Sequence, residues 1–186
     1  MHRFLKGCLL SAVLWVAPIV SATTLVPLDL ETMVAHSDSI VMGRVVTVSA
    51  SWDTNHAGIY SVVAVDVDEP LKGVAEPRVV IHQRGGTVGE WHEQILGSPS
   101  FLIGESVLLF LERRNPGVGK STAATSCYRT IGLNQGKYTV SSAGGLSIAR
   151  QAAISAESSI LGNETDHPTI LSVQEVKSYL LQRSDR

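Results

Sequence analysis

Side chains able to do chemistry are densest between residues 82 and 93, where His82, Glu90, His92 and Glu93 fall around Trp91. Two imidazoles and two carboxylates are the donor types that hold zinc and move protons. A convincing metal site would set two of them at i, i+4 on a helix, and no pair here has that spacing on a helical stretch. They read as solvated loop side chains, and no metal is assigned. The string Gly117-Val118-Gly119-Lys120-Ser121-Thr122 ends like a phosphate-binding loop. The full pattern needs a glycine where this chain has Arg114, and a helix that begins at the lysine. No helical stripe follows, so the string reads as a turn that binds no nucleotide. His36-Ser37-Asp38 holds the residue types of a catalytic triad, but sequence adjacency does not poise them across a cleft. There is no nucleophile elbow and no dinucleotide fingerprint. No catalytic residue and no cofactor are assigned.

The elements that would position these groups are mostly strands. Asp29 is a candidate N-cap for a short helix with Leu30, Met33 and Val34 on one face, ending near His36-Ser37-Asp38. From Ser39 the valine- and isoleucine-rich run through Val48 predicts a long strand able to bend at Gly43. The polar run Ser49 to Gly58 predicts a connection, Ile59 to Val67 a half-buried strand stopped by Asp68-Glu69-Pro70, and Arg78 to His82 a third strand. Gly85 to Ser100 shows no sustained period and predicts a long irregular loop. Val107 to Leu111 is the most apolar run after the leader and predicts a central strand buried on both faces. Lys137 to Val140 and Leu146 to Arg150 predict a hairpin turning through Ser141 to Gly145. Ala152 to His167 reads as linker or weak helix, and Ser172 with Glu175 as a capping box opening a C-terminal helix.

Residues 1–22 have the parts of a cleaved export signal: Arg3 and Lys6, an apolar stretch from Cys8 to Val20, and Val20-Ser21-Ala22 before the cut. The apolar stretch is short for a bilayer span, and it follows Cys8, the wrong order for lipid attachment. Cleavage after Ala22 leaves 164 of 186 residues, starting at Thr23 in the periplasm or the medium, with no remaining membrane span. That loss moves the formal charge from −2 to −4, which leaves no electrostatic footprint for nucleic acid. Cys8 leaves with the signal, so Cys127 has no internal partner and is read as a buried, inert thiol. Asn163-Glu164-Thr165 matches a glycosylation acceptor, which matters only where a secretory pathway modifies it.

Three segments together carry a resemblance: Ser37-Asp38-Ser39-Ile40-Val41-Met42-Gly43-Arg44-Val45, Leu71-Lys72-Gly73, and Phe101-Leu102-Ile103-Gly104-Glu105-Ser106-Val107-Leu108-Leu109-Phe110. They resemble exported bacterial β-domain proteins, and their spacing is similar to that of the amino-terminal domain of tissue inhibitors of metalloproteinases. That domain is an oligonucleotide/oligosaccharide-binding (OB) barrel. The resemblance covers about residues 37 to 111. Those inhibitors clamp zinc with an amino-terminal cysteine pinned by disulfides. The expected terminus here is Thr23-Thr24, so the resemblance implies fold and not inhibition.

The expected architecture is therefore mainly β: a small OB-like antiparallel barrel with a short N-terminal helix, a C-terminal hairpin and a C-terminal helix. The expected divisions are signal 1–22, barrel with hairpin 23–150, linker 151–171 and helix 172–186. The expected role is a monomeric, non-enzymatic exported binding module that presents loops to a protein or glycan. Trp91, Glu90, His92 and Glu93 are its candidate contacts, and Trp91 acts either as interface anchor or as a plug at the barrel end. A metal-dependent hydrolase built on the 82–93 cluster and a structural envelope protein are the alternatives.

Overall fold

The structure is a computed structural model that describes residues 27–73, 76–114, 127–143, 146–151 and 170–184. The expected export signal, the Gly117 to Thr122 string, the glycines of the C-terminal turn, Asn163 and the Ala152 to His167 stretch lie outside these residues.

Asp29 caps α1 (Leu30–His36), its carboxylate accepting from the Thr32 amide at 2.7 Å, and Met33 and Val34 are buried as the apolar face predicts. The strands follow as β1 (Ser39–Trp52), β2 (Ile59–Lys72), β3 (Arg78–Arg84), β4 (Gly86–Val88), β5 (Trp91–Glu93), β6 (Ser106–Arg114) and β7 (Cys127–Thr130). A 3-10 turn (Leu133–Gly136) leads to β8 (Lys137–Ala143), β9 (Leu146–Gln151), β10 (Ile170–Ser172) and α2 (Val173–Ser184).

The protein is mainly β, with most strands in one large, mostly antiparallel sheet of order β1-β2-β3-β7-β6-β8-β9-β10. Strand β1 also pairs with β6, from Ser39 opposite Leu111 to Arg44 opposite Ser106. The pairings β1–β2, β2–β3, β3–β7, β7–β6 and β6–β1 thus return to the strand they start from. One pairing departs from the antiparallel expectation: β7 runs parallel to β3, with Val80 opposite Cys127 and Ile81 opposite Tyr128. Having turned back along β6, the chain arrives at β3 in β3's own direction.

Alternation along β1 and β6 sends side chains to two cores. Val41, Val45, Leu109 and Leu111 face the interior of the circuit with Val63, Val65, Ile81 and Tyr128. Ile40, Leu108 and Phe110 face outward, where Met33 and Val34 of α1, Tyr138 of β8, and Val173 and Val176 of α2 cover them. The apolar run in β6 is buried on both faces for this reason. The C-terminal segments close that second core, since β10 pairs with β9 and α2 packs beside α1.

The resembling segments are structural staples. A Cβ on Gly43 would run into the Asp66 carbonyl of β2, so glycine lets the two backbones approach where the register shifts. The Lys72 ammonium donates to the Val34 and Ser37 carbonyls, each at 2.7 Å, and so caps the C-terminal end of α1 with a cation. Ser37 donates its hydroxyl to the Met33 carbonyl, and the Asp38 carboxylate accepts from the Arg113 amide at 2.7 Å. Ser37 and Asp38 therefore tie the end of the helix to β6. Glu105 bonds Lys137 at 2.6 Å and also accepts from the Thr139 hydroxyl.

Strand β2 runs on to Lys72 and does not stop at Asp68-Glu69-Pro70. Its pairing with β3 ends at Asp66, so Pro70 stands where β2 is paired on one side only, a position that tolerates the missing N–H. Cys127 is a free thiol, half-buried at the start of β7 and not fully buried as expected.

Candidate functional site

The turn between β1 and β2 is shorter than the polar run from Ser49 suggests, because β1 continues through Trp52. Asp53 builds that turn. Its carboxylate accepts from the Asn55 and Ala57 amides at 3.2 and 2.7 Å, and its carbonyl accepts from the His56 amide at 3.1 Å. His56 is left at φ 54°, in the left-handed region, with its ring nearly parallel to that of Trp52 at 6° and 5.9 Å between centroids.

The stretch Gly85 to Ser100 is not wholly irregular, because β4 and β5 form a small hairpin within it. Three-residue strands are too short to show a period of two, which is why their pattern escapes a sequence reading. A Cβ on Gly86 would meet Ala50 and Ser61 and its φ is +142°, so glycine lets this hairpin lie close against β1 and β2. Glu93 then clamps it, with one carboxylate oxygen accepting from the Ile59 amide at 2.6 Å and the other bonding Arg84 at 2.8 Å. The Ile59 amide first, and Arg84 after it, hold the Glu93 carboxyl below the usual carboxylate range.

Trp91 sits on this clamped hairpin, 68% exposed, its ring edge-on to Trp52 with centroids 6.1 Å apart at 70°. That exposure removes the reading of Trp91 as a barrel plug. His92 bonds Thr87 across the hairpin at 2.9 Å, and Glu90 is exposed in the turn. Of the four expected contacts, then, Trp91, His92 and Glu90 face solvent on one hairpin, while Glu93 is the strut beneath them.

His82 is not part of this group. It lies on β3 in a groove beside Arg114, where burial first and the Arg114 charge second lower its pKa. Among the described residues no three His, Cys, Asp or Glu side chains gather as a metal site, and Glu93 is already committed to Arg84 and Ile59. Trp52, with His56 stacked on it, is the contributor the sequence did not reveal, since the meeting of Trp52 with Trp91 is a tertiary event across 39 residues. A usable signal was present even so: beyond residue 22 the sequence has two tryptophans, and both lie in runs read as connections.

The arrangement is a rigidly held aromatic surface, with Trp52 stacked on His56, Trp91 standing beside them and polar side chains around it. It suits stacking and hydrogen bonding to a partner and offers no nucleophile paired to a base. The chain matches no protein-family model and no curated protein.

Proposed function

We propose that this protein is an exported, non-enzymatic binding module in which an OB-like barrel presents the Trp52–Trp91 surface to a protein or glycan partner. The observation that carries this reading is Trp91, a large aromatic left mostly in water on a hairpin clamped by Glu93. An exposed tryptophan costs hydration free energy and is over-represented where binding energy concentrates. The five-strand circuit, with β1 paired to both β2 and β6 and β7 parallel to β3, supports the OB-like reading. Barrels of that class bind ligands on the strand β2–β3 face and the β1–β2 loop, which is where Trp52 and His56 stand. The leader-like residues 1–22 support export, and amino-terminal sequencing of exported protein is expected to begin at Thr23.

The test is direct because both tryptophans of the exported chain lie on the surface in question. Binding of the partner is expected to shift or quench their emission. Trp52→Phe and Trp91→Ala are each expected to weaken capture from the native envelope while leaving the fold intact. Capture unchanged in both variants would remove this surface from the function.

A further inference from the structure

The chain is acidic as a whole, yet one groove in it is lined by cations. About 250 Å³ in volume, it lies against the outer face of β2, β3 and the β6–β7 pair, and Tyr60, His82, Arg84, Ser98, Arg114 and Arg129 are among its lining residues. No acidic side chain lines it among the described residues.

Strand geometry assembles the set. Val79 and Ile81 of β3 point into the core, so His82 and Arg84 share the opposite, outward face. Tyr60 is directly opposite Arg84 in the β2–β3 register. Cys127 is opposite both Val80 and Arg114, and Arg129 is opposite Glu112, which brings two arginines from the neighbouring β7 and β6 to the same face. Two of the three arginines already hold a carboxylate: Arg84 bonds Glu93, and Arg129 bonds Glu112 at 2.8 Å. Arg114 has no ion pair among the described residues.

One ion pair links the groove to the hairpin that carries Trp91. Arg84, at the groove's edge, is bonded to Glu93, two residues after Trp91 on β5, while Trp52 shares the face of its partner Ile59, opposite to Tyr60. A ligand lying along both would meet aromatic faces at one end and guanidinium groups at the other.

We infer that the partner is an acidic glycan, whose sugar rings pack on Trp52 and Trp91 and whose carboxylates are held in the groove by Arg114 with Arg84 and Arg129. This rests on the binding reading above and narrows it. Charge density favours a glycan over nucleic acid. Arg84 and Arg129 are partly neutralised by their own acids and the chain is net negative, which suits the sparse carboxylates of a uronate chain better than a phosphate on every nucleotide. Guanidinium groups bind carboxylates through paired, charge-assisted hydrogen bonds, which a neutral sugar cannot accept with equal strength.

The experiment titrates the exported chain with a hexagalacturonate and with the same hexamer methyl-esterified, following tryptophan emission and calorimetric heat. The acid form is expected to bind about tenfold more tightly than the ester and to weaken with added salt while the ester does not. Arg114→Gln is expected to remove about a tenfold advantage for the acid, leave the ester unchanged and melt with the parent. Should Arg114→Gln melt early, the salt dependence of the unaltered chain still decides the matter. Equal binding of acid and ester, without salt dependence, overturns the anionic inference, and loss of both in Trp91→Ala would then leave the broader reading standing. Binding of neither form, or tighter binding of an oligothymidylate or a polyglutamate peptide, overturns the acidic glycan. If Trp91→Ala also leaves envelope capture intact, the broader reading falls with it.

Discussion

The two ends of β1 solve opposite problems. At its start, Ser37, Asp38 and Lys72 each bond a backbone group, and alongside its first half the Lys137 and Glu105 side chains are 4% and 10% exposed. At its finish, half-buried Trp52 meets Trp91, which is left largely open to water. Polar groups that are buried and satisfied maintain a fold, whereas apolar surface held rigidly in water stabilises nothing until something covers it. The first end is where the chain holds itself together, and the second is where the proposed partner would bind.

The largest effect expected on this contrast comes from Glu105→Ala. It would leave the Lys137 ammonium buried without its carboxylate, at a cost of about 3 kcal/mol, and thermal melting should fall by roughly 10 °C. Lys72→Ala comes next. Removing the cap on α1 and its two charge-assisted bonds is expected to cost about 2 kcal/mol in denaturant unfolding, with binding unaffected while the protein is folded. A loss confined to binding in either variant would erase the distinction between the ends.

Acid sharpens the same contrast. Burial alone would raise the Glu105 pKa, but the Lys137 ammonium and the Thr139 hydroxyl more than offset it, so the carboxyl titrates below its ordinary 4.5. The unfolded chain then takes up the proton first, so this group's stabilisation is complete above that ordinary value and is lost as pH falls through and below it. The melting difference between the parent and Glu105→Gln is therefore expected to narrow from about pH 6 to about pH 3. A difference that stays constant would mean that the buried pair does not discriminate between the two states.

The contrast also explains what could be read from the sequence. The staple end was legible because its devices are local or periodic: an Asp before an apolar helical face, alternating valines, a run apolar enough to be buried twice. Segments 37–45, 71–73 and 101–110, singled out in the sequence, hold these same staples. The open end was half legible. Trp91 stood out in a glycine-rich loop, but the β4–β5 hairpin is too short to register, and nothing local announces that Trp52 and His56 come to meet it. Arg114 and Arg129 were invisible as a pair because strand order, not sequence distance, brings them to one groove. The stop expected at Pro70 failed for a related reason, since a proline's effect depends on which edge of the strand is paired.

The smallest change in stability carries the most weight. Trp91→Ala, melted beside the parent and assayed for partner capture at a temperature where both are folded, is expected to unfold within about 0.5 kcal/mol of the parent and to lose capture. A melting temperature many degrees lower, with capture restored whenever the variant is kept folded in the cold, would make Trp91 a structural residue and contradict the account.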